Sequence, residues 1–229
     1  MLYIVSTPIG NLEDITLRAI RMLKEADYIA AEDTRHSKIL LDKYEIKTPQ
    51  ISFHSYSDDR KLAQLIDLLK SGKNIALISD AGTPGISDPA YKLIQTALEN
   101  DIKIIPIPGP SAFLAALVAS GLHMHNFIYY GFLPLKKGRQ TLFTSWRNED
   151  RTIIFYESPH RIIKTLEQIH KILGDNWQIV IARELTKIHE EILRGNFAEI
   201  ISHFKQKPPK GEFVLLLKNI KASCSDTLQ

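Results

Sequence analysis

The chain has a single cysteine, Cys224, and it lies in the polar tail KNIKASCSDTLQ. One thiol excludes an intrachain disulfide and a cysteine-built zinc site, and it suits a reducing compartment. No apolar run approaches the roughly 18 residues of a membrane span. The opening MLYIVSTPIG has no basic stretch before its apolar run, which breaks at Ser6, so no secretory leader is expected. The expectation is a cytoplasmic protein without a membrane attachment. Two phosphate signatures are also missing. The first strand exit, STPIGN, has one glycine where the dinucleotide fingerprint needs three, and no Gly-Lys-Ser/Thr P-loop occurs. Histidine and cysteine nowhere stand at ligand spacing, and HMH at 123–125 reads as linker surface, so no metal is expected. Excess charge is scarce, at +3 overall, but it is uneven. Residues 1–120 carry 13 Lys/Arg against 15 Asp/Glu, and residues 121–229 carry 16 against 11. A more basic second half is compatible with an RNA-facing surface and equally with ordinary scatter.

What the chain has is repeated alternation of β-branched runs and helical patterns. Strands are predicted at 2–5, 28–31, 51–53, 75–78 and 102–105, and helices at 15–25, 37–43, 60–70, 90–99 and 111–120. Such units indicate a largely parallel sheet with helices on both faces. After a linker at 121–126, strands are predicted at 127–131, 152–156, 178–182, 190–193 and 213–217, with helices at 161–173 and 197–204. More strands than helices suggest a mixed sheet. The fold class is therefore α/β, in two domains at 1–120 and 127–219 with a polar tail over 220–229.

Each predicted strand of the first domain exits into polar, turn-forming residues: STPIGN, EDTRHS, HSYSDD, SDAGTPGISDP and PIPGPSA. Open parallel sheets bind ligands beyond the carboxyl ends of their strands, and this shared edge points to a cleft there. Gly82 and Gly85, with Pro84, can bring backbone groups close to a ligand. Asp80 can accept bonds from ribose hydroxyls or an amine, and it repels phosphate. A nucleoside-like or cationic ligand suits such a cradle. S-adenosyl-L-methionine, with sulfonium, amine and ribose and no phosphate, meets that description.

The motifs SDAGTPGISDPA, PGPSA and STPIGN together resemble the tetrapyrrole methylase superfamily, the class III S-adenosylmethionine-dependent methyltransferases. STPIGNLEDITLRA, EDTRHS, IPGPSA, FYESPHR and ARELTKIHEE resemble most its branch that methylates small-subunit ribosomal RNA, from about residue 2 to residue 218. The resemblance implies an enzyme that methylates the ribose 2′-hydroxyl of a cytidine in the decoding region of 16S rRNA. It also implies a homodimer, and a cofactor cleft between two α/β domains. It assigns the cofactor to Asp80, Gly82, Thr83, Gly85 and Ile86, to Ser111 and Ala112, and to Leu133, Ala182 and Gly211 of the second domain. STPIGN then faces the substrate.

A ribose hydroxyl is far from ionised at neutral pH, so the enzyme must align it and favour loss of its proton. In RELTKIHEE, Lys187 can lower the hydroxyl pKa or bind phosphate with Glu184 orienting it, or Arg183, Glu184 and Lys187 simply fix a loop by ion pairs. Glu32 and Arg35 offer either substrate contacts or a salt-bridged rim. His160, Arg161 and Arg183 are candidate substrate contacts and His160 a candidate base, although Ser158-Pro159 also reads as a helix start, and Asn11 binds substrate or makes a turn. Lys136, Lys137, Arg139, Arg147, Arg151, Lys205, Lys207 and Lys210 are candidate phosphate contacts. Two rival readings remain: a precorrin-type C-methyltransferase of the same fold, and a non-catalytic module that binds a nucleoside-type ligand.

Overall fold

The structure, a computed structural model, describes residues 1–54, 59–86 and 90–220. The core of the third strand exit (55–58), the end of SDAGTPGISDP (87–89) and the tail with Cys224 lie outside the described residues. The chain divides into two compact units, Met1–Ser111 and Ala112–Gln229.

The first unit holds five strands, β1 (Leu2–Val5), β2 (Tyr28–Ala31), β3 (Gln50–Ser52), β4 (Ile75–Ile78) and β5 (Ile104–Ile107). They pair in the order β3-β2-β4-β1-β5, every pair parallel. The continuous apolar run of β4 is explained by burial on both faces. Ile75 and Leu77 pack with α3 (Asp59–Lys70) and α4 (Ala90–Glu99), while Ala76 and Ile78 pack with α1 (Leu17–Glu25) and α2 (Thr34–Lys43). The helix expected from residue 15 begins at Leu17, because the Thr16 hydroxyl caps it by accepting the Ala19 N–H. The last strand lies further along than predicted, at 104–107. It is an edge strand, where Pro106 needs no partner for the N–H it lacks.

The second unit opens with α5 (Ala112–Ser120), which follows PGPSA and packs on the second sheet rather than the first. That places the division before this helix and not at residues 121–126. The sheet runs β6-β7-β10-β8-β9, from β6 (Phe127–Phe132), β7 (Thr152–Glu157), β8 (Trp177–Arg183), β9 (Glu191–Gly195) and β10 (Phe213–Asn219). The β6–β7 pair is parallel and the others antiparallel, so the sheet is mixed. Its other face carries α7 (Ile162–Leu173), α8 (Phe197–Gln206) and a helix not foreseen, α6 (Arg139–Ser145). Between Arg139 and Trp146 the apolar residues Leu142 and Phe143 are flanked by polar ones, too short a pattern to show helical periodicity. Among the described residues, no helix is long and apolar enough to cross a membrane.

Candidate functional site

At the carboxyl edge of the first sheet, the exits of β1 and β4 are stitched together. Thr7 and Gly82 exchange backbone bonds, Thr7 N–H to Gly82 carbonyl at 2.9 Å and Gly82 N–H to Thr7 carbonyl at 3.1 Å. The Thr7 hydroxyl donates to the Ser79 carbonyl at 3.0 Å, and the hydroxyls of Ser6 and Thr83 lie 2.8 Å apart. Gly82 sits at φ 81° and Gly85 at φ 91°, the left-handed region that a side chain disfavours. The β5 exit presses against the same place, since a Cβ on Gly109 would lie 2.9 Å from the Ser6 Cβ. Asp80 is half-buried and ties in the β2 exit, its Oδ1 accepting the Asp33 N–H at 3.1 Å. Four exits thus form one shaped wall, with Thr83 half-buried behind it and Ile86 exposed at its rim. Ser111 ends this unit, half-buried, and Ala112 opens α5 in the next.

Two expected substrate contacts at this edge have local structural duties. The Asn11 side chain accepts the Glu13 N–H and caps a short 3₁₀ turn, Leu12–Asp14. Arg35 is clasped by Asp33, with Nη2 2.7 Å from Oδ2 and Nε 3.1 Å from Oδ1. Those bonds hold the Asp33 carboxyl well below the usual carboxylate range. Glu32 lies half-buried beside this pair.

In the second unit, the β8 exit makes the ion-pair cluster that the sequence left open. Lys187 Nζ donates to Glu184 Oε1 and to Glu212 Oε2, each at 3.0 Å, and Glu184 Oε1 also accepts the Glu212 N–H at 2.9 Å. Burial opposes the ammonium charge, but the bonds to Glu212 and Glu184 outweigh it, and the Lys187 pKa is raised. Burial likewise opposes the Glu184 carboxylate, yet the Glu212 N–H and Lys187 hold its pKa down. Gly211 sits at φ 91°, which disfavours a side chain, and a Cβ there would lie 2.4 Å from the Glu184 carboxyl carbon and force that carboxylate to move. Glu212 was not foreseen, and its adjacency to Gly211 was the available signal. Arg183, a candidate substrate contact, is held by the Lys210 carbonyl at 2.7 Å and by Glu191 at 3.2 Å. Leu133 and Ala182 have buried side chains, so what they can offer a ligand is backbone.

ESPHR builds a different kind of knot. Glu157 is fully buried and pairs with Arg161 at 2.6 Å and Arg139 at 3.3 Å. Arg139 also donates to the Gln168 side chain, the Pro134 carbonyl and Thr165, and it lies over the Phe143 ring. Arg139 is therefore a core cation and not a surface phosphate contact. Arg161 is largely committed to Glu157, while His160 is exposed. Of the other basic candidates, Arg151 is bound by Glu149, Lys205 by Glu167 and Lys207, more loosely at 3.8 Å, by Glu191. Among the described residues no group of three His, Cys, Asp or Glu is placed to hold a metal.

The wall at the first sheet suits a methyl donor of the S-adenosylmethionine type. It combines a half-buried carboxylate, backbone brought close by glycines at positive φ, and a neighbouring arginine already neutralised by Asp33. The profile of the family described as Tetrapyrrole (Corrin/Porphyrin) Methylases matches residues 1–201. A protein of Thermotoga maritima named Ribosomal RNA small subunit methyltransferase I is 48% identical over 94% of this chain and 97% of its own length. A protein of the same name from Synechocystis is 49% identical, covering 95% of this chain and 78% of that one. Solved structures share the fold at low identity. A diphthine synthase matches with a TM-score of 0.75 at 16% identity, over 95% of this chain and 89% of that one. A uroporphyrin-III C-methyl transferase from Thermus thermophilus, complexed with S-adenyl homocysteine, matches with a TM-score of 0.68 at 16% identity, over 97% and 99%. With a profile spanning most of its length and relatives sharing nearly half of its residues, the chain belongs to the tetrapyrrole methylases, alongside the ribosomal RNA small subunit methyltransferase I proteins.

Proposed function

We propose that the chain methylates the ribose 2′-hydroxyl of a cytidine in the decoding region of 16S rRNA, using S-adenosyl-L-methionine and acting in the cytoplasm as a homodimer on the small ribosomal subunit. The observation that carries this reading is the 48% identity, over nearly the full length of both chains, to a protein named for small-subunit rRNA methylation. The wall at the first sheet supports the donor half of it. Asp80 is placed to accept from ribose hydroxyls or the amine, and the Gly82–Gly85 turn offers backbone groups. When bound, the donor supplies a methyl group on a sulfonium, a leaving group that needs no metal.

At the acceptor, Lys187 is the residue whose chemistry fits. Its two bonds to carboxylates fix the ammonium and use two of its three N–H groups. The third is available to a hydroxyl oxygen, where a fixed cation favours the developing alkoxide. Lys187→Ala should therefore lower turnover on the order of a hundredfold while donor affinity stays within about twofold. Because the raised pKa keeps Lys187 charged past its ordinary 10.5, its contribution should hold constant from pH 6 to 9. A ratio of parent to variant rates that changes across that range would count against a purely cationic role.

The function itself is tested with unmodified small subunits and labelled donor, followed by alkaline hydrolysis of the rRNA. A 2′-O-methyl group blocks cleavage at its own nucleotide. Label in rRNA together with a gap in the ladder is expected. Label without a gap would mean base methylation, and label in a precorrin but not in rRNA would favour the tetrapyrrole reading. Donor binding without turnover on either would favour the non-catalytic module.

A further inference from the structure

We propose that a groove between α6 and α7 seats the phosphate backbone of the RNA substrate, apart from the residues assigned to donor and acceptor. The groove has a volume of about 650 Å³ and lies within the second unit. Its lining includes Lys136, Arg139, Arg147, Arg161, Lys164 and Lys171, and no acidic residue. The carboxylate beneath them is Glu157, which is buried and shared by Arg139 and Arg161. Arg139 and Arg161 are met by that carboxylate, and the other four cations leave a strong local excess of positive charge.

The helix geometry accounts for the arrangement. Lys164, Gln168 and Lys171 fall at i, i+4 and i+7 of α7, on one face. Seven positions of helix separate the two lysines by about 10 Å, room for successive phosphates and more than a single small anion would fill. Glu167, on the same helix, is engaged by Lys205. Among the described residues, Lys136, Arg147, Lys164 and Lys171 have no ion-pair partner, and all four are exposed. That sets them apart from Arg151, Arg183, Lys187, Lys205 and Lys207, whose charges are met by carboxylates. Arg147 is steadied by donating to the Ile172 carbonyl at 3.2 Å. Arg161 Nη1 is shut from solvent without a hydrogen-bond partner, a donor that a bound anion nearby could satisfy by a small side-chain shift. Three flexible lysines share the groove with three guanidinium groups, and cations spread in this way suit backbone tracking better than reading of base edges.

The inference rests on the RNA-methylating reading above, and the experiment separates the two. The variant Lys136→Gln/Lys164→Gln/Lys171→Gln is compared with the parent for affinity toward unmodified small subunits over a series of salt concentrations. Removing three phosphate contacts should reduce the slope of log affinity against log salt by about 2 and weaken binding about a hundredfold near 0.1 M salt. S-adenosylhomocysteine affinity and the melting midpoint should be unchanged, and turnover at saturating RNA should stay near the parent value. Parent-like affinity and slope in the variant would overturn the groove while leaving the function intact. If the parent binds RNA without methylating it, the function fails and the slope still decides the groove. A parent that does not bind RNA overturns both.

Discussion

Glu157→Gln should lower the stability of the second unit by about 3–5 kcal/mol, the usual cost of breaking a buried ion pair from one side. The carboxylate is at its acceptor capacity. Oε1 accepts the Ser158 N–H at 2.8 Å and pairs with Arg161, and Oε2 accepts the Thr165 hydroxyl at 2.7 Å and Arg139 Nη2 at 3.3 Å. A carboxylate offers about four such sites, whereas an amide turns half of them into donors. In the variant an NH₂ group must face donors on one side, and Arg139, with its side chain 10% exposed, keeps a charge with no carboxylate. A fall in melting midpoint on the order of 10 °C is expected for a chain of this size. Glu167→Gln is the control. Its pair with Lys205 is on the surface, both side chains about half exposed, and such pairs contribute about 0–1 kcal/mol. If the two variants melt together, the Glu157 knot contributes no more than a surface pair.

This knot also shows where sequence reading stops. FYESPHR identified the segment but not its partners, because Arg139 lies 18 positions from Glu157 and was taken for part of a basic loop. The missed helix and the misplaced arginine are one error, since α6 is what carries Arg139 inward. Elements with strong periodicity were legible: β1, β2, β4 and α4 have the predicted bounds, because burial on one or both faces writes itself into residue order. Boundaries set by a cap or an edge were not, as Thr16 and Pro106 show. At the first sheet the glycines and Asp80 could be read from the turn chemistry. The Thr7–Gly82 bridge and the Asp33–Asp80 bond join residues more than 40 positions apart, and no local pattern encodes them. The division of the basic residues into paired and unpaired ones is likewise a property of neighbours in space. It moves the candidate RNA surface from the loops generally to one groove.

Asp80→Asn and Gly82→Val should each weaken binding of S-adenosylhomocysteine on the order of a hundredfold, measured by calorimetric titration. The asparagine keeps an oxygen for the Asp33 N–H, whose bond at 3.1 Å ties β2 to β4, so the wall keeps its shape while losing its charge. What is lost is a charge-assisted acceptor for hydroxyl or amine donors. Such bonds contribute about 1.5–3 kcal/mol each, or one to two powers of ten in affinity. The valine acts through geometry. Gly82 is buried at φ 81°, its Cβ position lies 3.6 Å from Ile9 Cγ2, and its backbone exchanges both bonds with Thr7. A β-branched residue is poorly accommodated in the left-handed region, so the turn must rotate and the Thr7 bridge must open. The two lesions differ in one readout. Asp80→Asn should leave the melting midpoint without ligand near the parent value, whereas Gly82→Val should depress it by several degrees. Parent-like affinity in Asp80→Asn would move the donor away from this carboxylate. Parent-like affinity in Gly82→Val, despite a lowered midpoint, would show that the donor does not use the turn that the bridge holds.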